Sequence, residues 1–156
     1  MEKYLRLLNP KSINYEADRI DGGTPSLTAQ DVMLAMKYAD LSALQDILIM
    51  AYISDIRSLE LIDQLSVKIQ CLLESVGDDS ADDLILATKV ALTEIFAVSG
   101  KYKPSERNRA VIAGVSRMKI QRQLGSLIND VKSKLEVNLF HAQLKINKQV
   151  NKILKS

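Results

Sequence analysis

The chain has 156 residues, of which 47% are hydrophobic and 26% are charged. This composition allows one packed domain or two small ones and excludes wholesale disorder. The single cysteine, Cys71, and the single histidine, His141, exclude an internal disulfide and argue against a metal site built from such residues. We find no membrane-length apolar run and no signal-peptide pattern, and therefore expect a cytoplasmic globular protein without a cofactor.

Charge is distributed unevenly along the chain. Residues 1–100 carry 16 acidic and 8 basic side chains, a net charge of −8. Residues 101–156 carry 13 basic and 3 acidic side chains, a net charge of +10. This asymmetry favours a polyanion-binding C-terminal part and an acidic part that faces another partner. Solvated helix faces, or pairing between the two parts, would explain the same charges.

The sequence predicts an all-α fold without a sheet, in three parts. Residues 1–25 form an irregular N-terminal segment that ends in a glycine-containing loop. Residues 26–98 form an acidic helical region, in which Thr28 and Asp31 make a capping box and Ser42 to Ile53 form a buried central helix. Residues 99–156 form a basic part with a helix-turn-helix and a long C-terminal helix.

Two more helices are predicted within the acidic region. Apolar residues at spacings of three and four indicate an amphipathic helix between residues 55 and 75, which residues 77–79 end. Ser80 caps the next helix, and residues 99–104 break the pattern again. We interpret Cys71 as a core thiol and His141 as a partly buried or solvent-edge imidazole. The sequence therefore gives little support to an enzyme.

Residues 105–124 have the pattern of a helix-turn-helix. Ala110 is small where two helices would cross, and Gly114 can adopt the left-handed conformation that ends the first helix. Ser116 caps the second helix, which begins at Arg117. Ile120 and Leu124 would point inward. The order of small, turn and apolar residues in this segment resembles the DNA-reading helix-turn-helix of LacI-type repressors.

The helix that begins at Arg117 would enter the major groove of double-stranded DNA. Residues of its first turns would then face the bases, and neighbouring basic residues would contact the backbone. The predicted base-facing residues are Arg117, Met118, Gln121 and Arg122. The predicted backbone contacts are Lys119, Lys101, Lys103, Arg107 and Arg109. Arg109 and Gln123 depart from the pattern, because apolar residues are usual at their positions.

Other interpretations remain open for this part of the chain. Residues 105–124 could be two bundle helices joined by a glycine turn that never meets DNA. The apolar pattern from Leu124 to Ile153 predicts either one long helix or two with a break near Val137–Asn138. That stripe could serve a dimer, as in a conventional helix-turn-helix regulator, or a helical interaction module. The oligomeric state is left open.

Scattered motifs resemble the late-gene antitermination proteins of lambdoid phages, the Q family. The most specific piece is Ser-Leu-Thr-Ala-Gln-Asp-Val-Met-Leu-Ala-Met at residues 26–36, preceded by Pro-Lys-Ser at residues 10–12. Leu-Ala-Thr at 86–88 and Arg-Ala-Val at 109–111 follow in the expected order. The family's best-known members carry two cysteine pairs that bind zinc near the DNA-reading helices. This chain, with Cys71 alone, would be a shortened form that lacks the zinc module.

The resemblance implies a mechanism as well as a fold. Such a protein binds DNA at a late promoter and loads onto paused bacterial RNA polymerase through the β-subunit flap and the σ factor. It then travels with the polymerase and suppresses pausing and termination. The basic part would read DNA, and the acidic part would be free for protein contacts. The expected location is the cytoplasm of the bacterial host.

Overall fold

The computed structural model of the chain describes Leu5, Leu8 and residues 27–73, 80–98 and 101–154. All regular structure within these residues is helical, which confirms the predicted all-α class. The helices are α1 (Ala29–Lys37), α2 (Ala43–Ile53), α3 (Leu59–Leu72), α4 (Ala81–Leu92), α5 (Glu106–Ala113), α6 (Arg117–Lys119) and α7 (Gly125–Ile153). Two π-helical turns extend them: Thr93–Ala97 continues α4, and Ile120–Leu124 joins α6 to α7.

Helix starts follow the predicted caps closely. The Thr28 hydroxyl accepts from the Asp31 backbone N–H at 3.2 Å, and the Asp31 carboxylate accepts from the Thr28 N–H at 2.9 Å. Ser42 and Ser80 cap α2 and α4 in the same way, each through its side-chain oxygen. These bonds satisfy donors that the first turn leaves without a partner. The hydrogen bonds from Thr28 lower the pKa of Asp31 below its ordinary value.

The described residues divide into two compact units. Unit 1 comprises Met1–Ser54 and Leu139–Ser156, and unit 2 comprises Asp55–Asn138. The division predicted from charge and turn signals fell elsewhere, at residues 25 and 98. Helix α7 supplies residues to both units, because it runs without interruption from Gly125 to Ile153. Of the two interpretations of the C-terminal pattern, the structure has the single long helix.

The core of unit 1 is built from α1, α2 and the C-terminal half of α7. Small and branched apolar residues meet there, each 7% exposed or less: Leu5, Val32, Ala35, Ala39, Ile49, Ile53, Ala142, Ile146 and Val150. The three α7 residues recur every four positions, which places them on one face of the helix. The side chain of Lys145 donates to the Asp40 carbonyl at 2.7 Å and to Gln45 Oε1 at 3.0 Å.

Unit 2 packs α3 against α4 and α4 against α5. Its buried residues include Ile62 and Ile69 of α3, followed by apolar residues of the later helices: Leu84, Ala87, Val90, Ala91, Leu92, Ala110, Ala113, Ile120, Leu124, Leu127, Ile128, Val131 and Leu135. From Ile120 onward the buried positions recur at three and four residues. One continuous apolar face therefore follows the helix out of the predicted helix-turn-helix.

Several sequence expectations differ from the structure. Cys71 is exposed, so its interpretation as a core thiol was wrong: it lies on the outer side of α3, away from the buried Ile62 and Ile69. Helix α2 is not buried all round, because Met50 is half exposed. Helix α3 begins at Leu59 and ends at Leu72, inside the predicted bounds. Apart from Leu5 and Leu8, the predictions for residues 1–25 concern positions outside the described residues, as does the prediction for residues 77–79.

Candidate nucleic-acid interface

The connection between α5 and α6 has the local geometry that the sequence predicts. Gly114 ends α5 with φ 68°, and its N–H donates to the Val111 carbonyl at 3.3 Å. The Val115 N–H donates to the Ala110 carbonyl at 3.1 Å, which completes a Schellman ending. Ser116 then caps the next helix by accepting from the Lys119 N–H at 3.2 Å. Ile120 and Leu124 are buried as expected, and the helix begins at Arg117.

This turn is common to both interpretations of the segment, since bundle helices and DNA-reading helices can be joined in the same way. What bears on DNA is the chemistry of the surface. The predicted base-facing residues Arg117, Met118, Gln121 and Arg122 are all exposed, as are Lys101, Lys103 and Arg107. Met118, an apolar residue, is 53% exposed. The segment therefore presents positive charge, amide groups and an apolar side chain to solvent.

Arg109 does not belong to this surface, and its predicted contact with DNA backbone is corrected here. Its guanidinium makes a two-point ion pair with Glu94, with Nε at 2.8 Å from Oε1 and Nη2 at 3.2 Å from Oε2. The Arg109 side chain is only 12% exposed and the Glu94 side chain is fully buried. The departure from the apolar pattern at position 109 thus has a physical reason, because Arg109 neutralises a buried carboxylate.

Glu94 is the centre of a network that ties unit 2 together. Besides Arg109, the carboxylate accepts hydrogen bonds from Lys132 Nζ at 3.0 Å and from the Tyr102 hydroxyl at 3.0 Å. Burial alone would raise the pKa of Glu94, but the hydrogen bonds from Arg109, Lys132 and Tyr102 outweigh it and lower the pKa. Burial and the bond to Glu94 raise the pKa of Tyr102 to about 12.

Two other residues at the start of the helix that begins at Arg117 have acidic partners. Arg117 Nε donates to Glu106 Oε2 of α5 at 2.8 Å, with side chains 70% and 38% exposed. Lys119 Nζ lies 2.7 Å from Asp83 Oδ1 in the first turn of α4. For Lys119 to contact DNA backbone, as predicted, this ion pair would have to break. Within the described residues, Lys103, Arg107 and Arg122 form no ion pair.

A π turn changes the helix immediately after its first turn. Ile120–Leu124 are π-helical, and the Gly125 N–H closes the turn on the Ile120 carbonyl. A Cβ atom at position 125 would lie 2.9 Å from that carbonyl oxygen, closer than such atoms are found. Glycine is therefore required here by contact with backbone. The predicted reading helix is not a separate element, since it continues through this turn into α7.

A solvent-open groove of about 410 Å³ lies beside residues 105–124. It is lined mainly by polar groups from the link, from α5 and from the helix beyond Arg117, among them Ser105, Glu106, Gln121, Ser126 and Asn129. The described residues contain no cluster of three metal-ligating side chains. None of the described helices combines the length and hydropathy needed to cross a membrane.

Four residues that shape this region were not predicted from the sequence: Glu94, Tyr102, Lys132 and Gly125. The first three are brought together from positions 8 to 38 residues apart, so no local pattern announces them. One signal was present, since an arginine at an apolar position of α5 requires a buried anion nearby. Gly125 carried a second signal, because glycine is unusual inside a long helical pattern.

Comparisons with known proteins add no relative to this geometry. No protein-family model matches the chain, and neither the curated proteins nor the solved structures contain a significant match.

Proposed function

We propose that the chain is a phage transcription antitermination factor that binds late-promoter DNA through residues 105–124 and modifies host RNA polymerase. The observation that carries the DNA-binding part is the exposed group Arg117, Met118, Gln121 and Arg122 directly after a glycine turn with a capped start. Arginine and glutamine pair in bidentate fashion with guanine and adenine edges, and methionine offers apolar contact.

Unpaired cations beside this group support a backbone contact. Lys103 precedes α5, Arg107 lies in its first turn, and both side chains are exposed. Neutralised phosphates release counterions, so each such contact steepens the salt dependence of binding. Lys119 is the weaker candidate, because Asp83 already neutralises it.

The antitermination part of the proposal rests on the resemblance of residues 26–36 and the scattered later motifs to the Q family. Within this stretch, Thr28 caps helix α1 and the residues from Ala29 to Met36 belong to it, with Val32 and Ala35 in the core of unit 1. Bacterial RNA polymerase, through its β flap and σ factor, is the proposed partner, and the host cytoplasm the proposed location. The acidic residues of the first hundred positions offer charge for such protein contacts.

DNA binding is tested first with duplexes selected from a randomised library, titrated over a range of salt concentrations. We expect affinity to fall steeply with salt, and Arg122→Ala to weaken binding by about 1–3 kcal/mol. Lys68→Ala is the matched control, because it removes one exposed charge from α3, outside the reading segment. Absence of duplex binding at low salt by the folded protein would refute the DNA-binding proposal.

Antitermination is tested by in vitro transcription with bacterial RNA polymerase, on a template that carries the DNA adjoining the gene and a downstream terminator. We expect read-through to rise with the protein and to disappear when Arg117 and Arg122 are both replaced by alanine. Unchanged read-through with altered initiation would instead define a conventional helix-turn-helix regulator. No effect on transcription and no DNA binding would define a helical interaction module.

A further inference from the structure

The ion pair between Arg117 and Glu106 links the two helices that flank the turn. Glu106 lies in the first turn of α5, and Arg117 is the first residue of the reading helix. The carboxylate engages the guanidinium through Nε at 2.8 Å. An exposed pair of this kind adds little to folding stability, so its consequence must be sought in what it does to the arginine.

The pair leaves the outer end of Arg117 available. A guanidinium has five N–H donors in a rigid fork, and Glu106 takes the one on Nε. The donors on Nη1 and Nη2 make no hydrogen bond within the described residues. Two parallel N–H donors held in a fixed plane match the O6 and N7 acceptors that guanine presents in the major groove.

The pair also removes Arg117 from the electrostatic attraction to phosphate. Arg117 and Glu106 together carry no net charge, whereas Lys103, Arg107 and Arg122 have no carboxylate partner in the described structure. Non-specific affinity follows the net positive charge brought to the backbone. A neutralised arginine contributes directed hydrogen bonds without that general attraction.

We propose that Glu106 is a positioning and specificity-determining residue, which holds Arg117 for guanine readout and reduces attraction to non-target DNA. This proposal rests on the proposed DNA binding by residues 105–124. It distinguishes Arg117 from the exposed cations that were predicted to contact the backbone: Arg117 selects a base, and Lys103 and Arg107 supply backbone attraction.

The test compares Glu106→Gln and Arg117→Ala with the full-length parent protein on duplexes selected from a randomised library. The guanine that Arg117 reads is the position at which Arg117→Ala loses its preference. At that position we expect Glu106→Gln to lower discrimination about tenfold. It should also bind random duplex more tightly, with a salt dependence steeper by about one unit, because one negative charge is removed.

Two further variants separate charge from position. Glu106→Asp keeps the charge but shortens the side chain, so it should lose discrimination without the rise in random-duplex binding. Arg107→Gln removes an unpaired cation and should weaken binding to all duplexes alike. Unchanged discrimination in Glu106→Gln, with DNA binding and thermal melting intact, would overturn the role of Glu106. A folded parent protein that binds no duplex at low salt would overturn the DNA-binding proposal itself, and the two failures are thereby distinguished.

Discussion

The carboxylate of Glu94 has no exposure to solvent, and three side chains from other segments donate hydrogen bonds to it. Replacing it with glutamine would leave the largely buried cation of Arg109 without its counter-charge. We expect Glu94→Gln to lower the free energy of unfolding by about 3 kcal/mol, measured by urea denaturation. Glu136→Gln is the control, because Glu136 is exposed on α7 and its loss should be nearly neutral. Equal effects in the two variants would refute the importance of the network.

The same network predicts how the stability of the folded protein changes at alkaline pH. Tyr102 has a pKa of about 12 in the folded chain against an ordinary value of 10.0. Its stabilising contribution is fully present below pH 10 and is lost as pH rises toward 12, since the unfolded chain releases the proton first. We expect the parent protein to lose stability across this range faster than Tyr102→Phe, by at most about 1.4 kcal/mol per pH unit. Parallel pH profiles would contradict the bond to Glu94.

How far individual residues could be predicted depended on distance along the chain. The caps at Thr28 and Ser116 and the left-handed Gly114 involve partners within about one helical turn, so sequence spacing was sufficient to find them. Arg109 was misassigned because its partner, Glu94, lies on another helix and only the folded chain brings the two together. A cation counted by its charge alone cannot be told apart from one already neutralised.

At the level of single elements, the π turn at Ile120–Leu124 predicts that a glycine-to-alanine change destabilises the protein, which is opposite to the usual effect in a helix. Glycine to alanine inside a helix normally stabilises it by about 1 kcal/mol. At Gly125 the added Cβ would meet the Ile120 carbonyl oxygen at 2.9 Å. We therefore expect Gly125→Ala to destabilise the protein by about 1–3 kcal/mol in thermal or urea unfolding. Ser126→Ala, at the next and exposed position, should be neutral or slightly stabilising. A stabilised Gly125→Ala would show that the turn is α-helical in solution.

The start of a helix was predictable where a capping residue marks it, and it was less predictable elsewhere. The starts of α2, α4 and α6 follow capping serines. The start of α3 is not marked in this way, because Ser58 makes no side-chain cap, and its predicted start lay several residues too early. Neither π turn could be expected, because the apolar residues before and after each turn have the spacing of an ordinary α-helix.

For the molecule as a whole, helix α7 contributes residues to both units, and its π turn sets the register of the residues that follow it in unit 2. A π turn holds one more residue than an α turn between its hydrogen-bonded groups. Deleting the exposed Gln123 should convert it to an α turn and keep the downstream faces nearly in place. Deleting the exposed Asp130 instead should rotate Val131 and Leu135 by about 100° relative to the buried residues before them, so that both leave the core of unit 2. We expect cooperative unfolding to survive the first deletion and be lost in the second, as followed by circular dichroism. Combining Gly125→Ala with the deletion of Gln123 should recover stability, because an α turn has room for the Cβ.

The whole-molecule class was predictable because periodic apolar spacing needs no knowledge of distant contacts. The division of the chain into two units was not predictable in this way. Charge and turn signals mark continuous segments of sequence, whereas Leu139–Ser156 belongs to the same unit as Met1–Ser54 through packing of α7. The net charge of residues 101–156 likewise overestimates the number of basic side chains that are available to contact DNA. Lys132 donates to the Glu94 carboxylate, and Lys145 donates to the Asp40 carbonyl and to Gln45, so both amino groups already have partners within their own units.

The π turn also has a meaning for the history of the chain. A residue inserted between Leu127 and Leu135 would turn apolar side chains out of the core of unit 2, whereas one inserted between Ile120 and Leu124 can be accommodated by widening a single turn. Gly125 is then the residue that such an insertion demands, because it alone leaves room for the displaced carbonyl. When homologous chains are aligned, we expect a one-residue gap at this place to occur together with the loss of glycine at the position of Gly125.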